Sequence, residues 1–386
     1  MSSLSQACTL VEFPVHGSVG LCMIVKNEAH VIRRCLDSVK PLIDYVLIED
    51  TGSSDGTQAV VRAWLSDNAI PGQVVDVPWQ DFAYNRSHAL ELLRQRQEID
   101  YALIIDADDT LVYQPEFDAQ TCKQGLQADV IDMDIHYGAL RYRRPHLLRN
   151  ALPFRYRGVL HEYVEIPPAA SRRELLAGIH MQIAGGGDRS RNTEKFHKDA
   201  ELLQRALRTE VDPFLRSRYT FYLAQSLKDS GQHEEAISNY LQRAEMGYWD
   251  EEIYVSLYRA GQLQEKLDHP VQRVLDTYLR ATAFQPGRAE ALHAASRLCR
   301  LNKRYDQGYW FARRGLTPRP ASGLFLEPWI YDYGLLDELA VNAYWSGRYE
   351  ECRLACKRLL DEGKLPSAMR QRVSDNLWFA LARLRN

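Results

Sequence analysis

At 386 residues the chain is longer than a typical single domain, and its 45% hydrophobic and 26% charged residues exclude wholesale disorder and a collagen-like fibre. A formal net charge of −3 argues against a nucleic-acid binder working by blanket phosphate neutralisation, but leaves room for one local basic site for a phosphorylated ligand. No run of about 18 apolar residues offers a transmembrane helix; the N-terminus lacks the pattern of a secretory signal, and seven scattered cysteines read as reduced thiols of a cytoplasmic protein.

After an N-terminal extension (1–18), short apolar runs alternate with amphipathic stretches. Val19–Val25 (VGLCMIV) ends in Lys26-Asn27-Glu28 and is followed by helical spacing through Val31, Cys35, Leu36 and Val39. Tyr45–Ile48 is stopped by Asp50-Thr51-Gly52-Ser53-Ser54-Asp55-Gly56-Thr57, after which Ala59–Leu65 resumes the helical period. A strand over Val74–Val77, a helix over Ala83–Arg96 and a strand over Tyr101–Ile105 continue the series. Such alternation predicts an α/β domain with a mainly parallel sheet covered by helices on both faces, and ligands bind beyond the carboxyl ends of its strands. The polar tails Lys26-Asn27, Asp50-Thr51-Gly52 and Asp106–Asp109 all fall at that edge.

Between 130 and 183 the pattern changes to β-prone pieces, Val130–His136, Val159–Ile166 and Ile179–Ile183, which predict an α+β extension of the sheet. From about 192 the spacing is helical. Tyr219–Gly247, Arg288–Gly315 and Leu336–Gly363 each read as helix, polar turn and helix, with a weaker unit around Tyr254–Ala283. A period of roughly 34 residues is that of tetratricopeptide-like repeats; a non-repetitive helical bundle is the plainer alternative. Ala236, Ala260, Ala281 and Ala312 would let paired helices approach closely. The helical spacing of Trp249, Trp310, Trp329 and Trp345 assigns most of them to the core, and Cys352 and Cys356 share one helical face as buried thiols. The expected domains are 19–191 and an all-α domain over 192–386.

Asp106, Asp108 and Asp109 directly follow an apolar strand, and alternation puts Asp106 and Asp108 on one side if the extended geometry persists. Hard divalent cations take such oxygens, and a cation held there could grip a diphosphate; the same residues also suit a solvated turn. Arg141, Arg143, Arg144, Arg149, Arg155 and Arg157 stand among Tyr142, Phe154 and Tyr156. With no net positive charge, acceptor recognition or plain structure is the better reading of that stretch than nucleic-acid binding.

Met23–Glu28, Val46–Thr57, Asn85-Arg86-Ser87 and Ile105–Asp109, in that order, resemble the family 2 glycosyltransferases of GT-A fold, over roughly residues 19–190. The helical tail looks like the repeat region of a bacterial subset of that family, which includes peptide glycosyltransferases that modify bacteriocins. The resemblance implies a metal-dependent, inverting transferase using a UDP-sugar. Asp50 would accept a hydrogen bond from the nucleobase, Val25, Lys26 and Glu28 would line the base-and-ribose pocket, and Arg86 would stand near the nucleotide. Asp108 would bind Mn²⁺ or Mg²⁺, Asp106, beside Ala107, would reach the ribose or the metal's water, and Asp109 would face the acceptor.

An inverting transfer needs a base, which in this fold follows the acidic motif by several tens of residues. Glu162, in Leu160-His161-Glu162-Tyr163, is the first choice and Asp109 its rival; a strand there would turn His161 and Glu162 to opposite faces. His180 is the candidate for a later metal ligand and would tilt the choice towards Mn²⁺, with an ordinary, partly buried histidine as the plain alternative. Gly185–Asn192 would make a closing lid whose Arg189 and Arg191 clamp the diphosphate, or a linker between domains. The expected partners are a UDP-sugar and a peptide, protein or glycan acceptor recruited by the repeats, which could also self-associate. A lipid-linked or cell-surface polysaccharide acceptor, and a non-catalytic scaffold with a vestigial nucleotide-binding domain, are the alternatives.

Overall fold

The computed structural model describes residues 17–138, 140–187, 194–320 and 323–385. The chain divides into two compact units, Met1–Lys195 and Phe196–Asn386.

In the first unit the described strands form an eight-stranded sheet in the order β3-β2-β1-β4-β7-β6-β10-β5. Its first half is built as the apolar runs dictate. β1 (Val19–Val25), β2 (Tyr45–Asp50), β3 (Gly72–Asp76) and β4 (Tyr101–Ile104) are parallel neighbours. Alternation splits their side chains between two cores. Leu21, Met23, Val46, Ile48 and Leu103 pack with Ile32 and Leu36 of α1 (Ile32–Val39) and Trp64 of α2 (Thr57–Asn68). Cys22, Leu47, Ala102 and Ile104 pack with Leu90 and Leu93 of α3 (Phe82–Arg94). Covered on both faces, β1, β2 and β4 need no polar alternation, which is why their sequences read as continuous apolar runs.

The second half is mixed. β7 (Leu140–Arg149) runs antiparallel between β4 and β6 (Val130–Tyr137), β10 (Arg173–Gln182) is parallel to β6, and β5 (Thr110–Tyr113) closes the edge antiparallel to β10. In β7, Tyr142 packs against the core between arginines, and ion pairs Arg143–Asp134 (2.7 Å) and Arg149–Asp129 (2.8 Å) lie along the strand. The strand expected over Val159–Ile166 is reduced to β9 (Tyr163–Glu165), paired with β8 (Arg155–Arg157). Gly158 (φ 105°) and His161 (φ 52°) turn the residues before it into a loop, so no strand alternation separates His161 from Glu162. Because β10 runs parallel to β1, β2 and β4 in the sheet frame, its carboxyl end delivers residues 183–187 to the edge that carries the acidic motif.

The second unit consists of helical hairpins. Lys195–Thr209 is followed by the pairs Pro213–Asp229 with His233–Ala244, Asp250–Lys266 with Val271–Phe284, Glu290–Leu301 with Tyr305–Gly315, and Leu335–Trp345 with Tyr349–Asp361, then Ser367–Leu384. Each hairpin turn contains a left-handed residue, Gly231, Asp268, Lys303 or Gly347. Ala236, Ala260, Ala281 and Ala312 are fully buried at the crossings, as their size predicts. Cys352 and Cys356 are buried in the last hairpin's core with sulfurs 4.0 Å apart. The four tryptophans expected mostly inside are outside: Trp249, Trp310, Trp329 and Trp345 are 39–61% exposed, because smaller neighbours such as Ala312 and Ala343 occupy the inner positions.

Candidate active site

The carboxyl edge of the parallel strands is organised by two loops hydrogen-bonded to each other. Asn27, in the left-handed conformation (φ 57°), accepts from the Ser54 amide (2.9 Å), and its own amide donates to Ser53 Oγ (2.9 Å). The Glu28 amide donates to Thr57 Oγ1 (2.8 Å) and the Ala29 amide to Asp55 (2.9 Å). Val25 is buried, and its carbonyl accepts from both the amide and the hydroxyl of Thr51 (2.9 and 3.0 Å); Lys26 is exposed and Glu28 half-buried beside it. Asp50 is fully buried at the end of β2. Its Oδ1 accepts from the Gly52 and Ser53 amides (2.8 and 2.7 Å), while Oδ2 is buried without a hydrogen-bond partner. A buried acceptor left open is costly unless a ligand donates to it.

Asn85-Arg86-Ser87 ties three elements together from one helix. Asn85 donates to the buried Glu49 of β2 (2.6 Å), and Ser87 Oγ accepts from the Tyr156 amide of β8 (2.8 Å). Between them Arg86 donates through Nη2 to Asp106 (2.6 Å) and through Nε to Glu162 (2.8 Å), with its guanidinium 5.6 Å from the Tyr156 ring centre. Burial pushes the Asp106 carboxyl up, but the Arg86 guanidinium outweighs it and holds Asp106 below the usual carboxylate range.

The extended geometry expected through Asp106–Asp108 does not persist. The strand ends at Ile104, and the Asp109 amide closes a turn onto the Asp106 carbonyl (3.1 Å), so the two carboxylates diverge. Asp106 meets Arg86, whereas Asp108 Oδ2 accepts from the Gly187 amide (3.0 Å). Ala107 is buried between them. Asp109 is also buried; burial first, then Asp106 and Asp108, push its carboxyl up to about 7, against a hydrogen bond from the Ala184 amide. Residues 184–187 therefore lie across the acidic turn, and His30 Nε2 bonds the Gly186 carbonyl (2.8 Å). A Cβ on Gly187 would stand 2.9 Å from Asp108 Oδ2 and 3.1 Å from Glu28 Oε1, so a side chain there would displace these carboxylates.

His180 does not join this group. It lies inside β10, opposite Val112 and Asp134, and its ring stacks on His136 at 3.8 Å. Among the described residues no group of three or more His, Cys, Asp or Glu stands where it could hold a metal ion. Arg86 engages Oδ1 of Asp106 and the Gly187 amide engages Oδ2 of Asp108, one oxygen of each carboxylate. Arg189 and Arg191 lie outside the described residues. The paired use of Arg86 and the contribution of His30, Arg34 and Gly187 were not legible in the sequence, because each depends on a contact across more than 70 residues or on the position of one amide; Arg34 donates to the Asp108 carbonyl (2.6 Å).

Residues 21–117 match the family model described as glycosyl transferase family 2. A TPR repeat-containing protein of Synechococcus elongatus is 31% identical over 152 residues, 38% of this chain and 35% of that protein. The lipopolysaccharide core biosynthesis glycosyltransferase LpsC of Rhizobium meliloti is 32% identical over 89 residues, 23% of this chain and 31% of that protein. The chain thus spans about a third of the length of these curated relatives. Among solved structures, S. aureus TarS 1-349 in complex with UDP-GlcNAc is 16% identical at a TM-score of 0.34, over 69% of this chain and 88% of that one. A tetratricopeptide repeat protein from Parabacteroides merdae is 17% identical at 0.37, over 49% and 68%. The chain carries a glycosyl transferase family 2 domain, matched over residues 21–117, followed by a tetratricopeptide-like helical region.

Proposed function

We propose that this chain transfers a sugar from a UDP-sugar to an acceptor hydroxyl or peptide side chain with inversion, the helical region recruiting the acceptor. The observation that carries the reading is the pair formed by the open buried acceptor Asp50 Oδ2 and the Arg86-bridged carboxylates Asp106 and Glu162, all at the carboxyl edge of the sheet. Asp50 Oδ2 suits an N–H donor of a nucleobase, as uracil offers. Arg86 suits a diphosphate, because a planar guanidinium matches phosphate geometry bidentately; its two carboxylates would then be released to the donor and the acceptor.

Glu162 is the base of this reading. Its side chain is 14% exposed and oriented by Arg86, the arrangement of a base held by a third group. Asp109 is buried beneath the Ala184 amide, which leaves it less open to an acceptor than Glu162. A divalent cation, Mn²⁺ or Mg²⁺, would be held at Asp108 and would offset the charge of the leaving diphosphate. The relative named for lipopolysaccharide core biosynthesis favours a glycan acceptor, and the helical hairpins favour a peptide or protein; both are acceptors that a concave repeat surface can take.

The test is calorimetric titration of the full chain with UDP and a panel of UDP-sugars, with and without Mn²⁺, followed by an assay for UDP release. Saturable binding and UDP release with at least one donor are expected. Absence of binding under every condition overturns the reading in favour of a non-catalytic scaffold.

A further inference from the structure

His146 lies on β7 at the same sheet edge, within the arginine-rich stretch but not among the residues singled out from the sequence. β4 and β7 pair with Leu103 opposite Leu147, which sets His146 beside Ile104, the last residue of β4. Its Nδ1 is 2.7 Å from the Ile104 carbonyl oxygen. A carbonyl can only accept, so Nδ1 carries the proton, and in the neutral ring Nε2 is a lone pair. Burial pushes the imidazole below its ordinary value, against the Ile104 carbonyl and Asp106, so the ring is neutral. Nε2 is itself buried without a hydrogen-bond partner. The neighbours whose charges reach it, Asp106, Arg144 and Arg86, include two members of the site.

Two buried acceptors are therefore open along one edge: Asp50 Oδ2 at the end of β2 and His146 Nε2 on β7. The sheet order separates them by three strand spacings, roughly 14 Å at ~4.8 Å each. That separation matches an extended nucleotide diphosphate sugar, with its base at one end and its hexose at the other, and puts His146 at the hexose end.

We propose that His146 is a specificity-determining residue whose Nε2 accepts a hydrogen bond from a hydroxyl of the transferred sugar. The inference rests on the transferase reading above and goes beyond it in naming the group that distinguishes donors. A site with a fixed, buried acceptor discriminates strongly against a donor lacking the matching hydroxyl, because the lone pair is then left unpaired.

The variants that separate this role from a structural one are His146→Asn and His146→Gln. The Asn amide keeps a donor where Nδ1 bonds the Ile104 carbonyl but removes the acceptor at Nε2; the Gln amide oxygen reaches the Nε2 position. Titration of each full-length variant with UDP and with the UDP-sugar that binds the wild type gives the answer. For His146→Asn, unchanged UDP affinity with roughly tenfold weaker UDP-sugar binding is expected, and His146→Gln recovers most of it. Unchanged UDP-sugar binding by His146→Asn overturns the proposal. So does an equal loss for UDP and UDP-sugar, which would put the lone pair against the nucleotide or a cation. Deoxyfluoro analogues of the donor test it on the wild type without a variant: one hydroxyl replaced by fluorine should weaken binding about tenfold, and full affinity for every analogue overturns it. Failure of the wild type to bind any nucleotide sugar is a different outcome, and removes the transferase reading and this inference together.

Discussion

Arg86 holds two carboxylates at once with a side chain that is only 12% exposed, so its replacement leaves two acids uncompensated at the edge of the sheet. The Glu162 side chain is 14% exposed and that of Asp106 51%, so the loss of Arg86 bears mainly on Glu162. Arg86→Gln should lower turnover of the donor at least a hundredfold, and Arg86→Lys should not rescue it, because a point charge cannot span Asp106 and Glu162 together; steady-state UDP release measures both. Asp109 makes a prediction of a different kind. Its carboxyl is at about 7 in the folded chain against an ordinary 3.8, so the folded state binds the proton more tightly than the unfolded one. Its contribution to stability is complete below about pH 4 and is lost as pH rises through 7. Ionising it in place costs on the order of 4 kcal/mol at most. Asp109→Asn has no proton to lose, so its melting temperature relative to wild type should rise between pH 5 and pH 8; a difference that stays flat across that range contradicts the assignment.

At the scale of elements, the two loops at the ends of β1 and β2 act as one unit. Asn27 supplies both the left-handed backbone and the acceptor for the Ser54 amide. Asn27→Ala loses both and should cost about 1–2 kcal/mol by urea unfolding, whereas Asn27→Gly, which keeps the conformation, should cost less. The existence of these loops is readable from the sequence, because Gly, Asn, Asp and Ser cluster there after apolar runs. The position of β7 is not readable in the same way. Arg141–Arg149 looks like a surface segment until Asp134 of β6 and Asp129 just before that strand pair with its arginines. The acidic motif shows the same limit, because the sequence cannot say that the chain turns at Asp106 and sends its carboxylates to different partners.

At the scale of the molecule, each of the two compact units has its own buried cluster, so thermal unfolding followed by circular dichroism should show more than one transition. Gly261 lets the helix Asp250–Lys266 lie against the Tyr278 ring, where a Cβ would come within 2.4 Å. Gly261→Ala should therefore destabilise by about 1–3 kcal/mol despite alanine's better helix propensity, and should lower one transition while leaving the other in place. The apolar runs Val19–Val25, Tyr45–Ile48 and Tyr101–Ile105, the loops that end them and the helical pairs after 192 could be read from the sequence alone, since hydrophobic period and turn chemistry are local. Which side chains meet at the active edge was decided only by the tertiary structure. Arg86 reaches Glu162 across 76 positions, His180 stays with His136, and His146 comes to the edge because β7 runs antiparallel to β4. Contacts of that range depend on strand order and register, which no local pattern encodes.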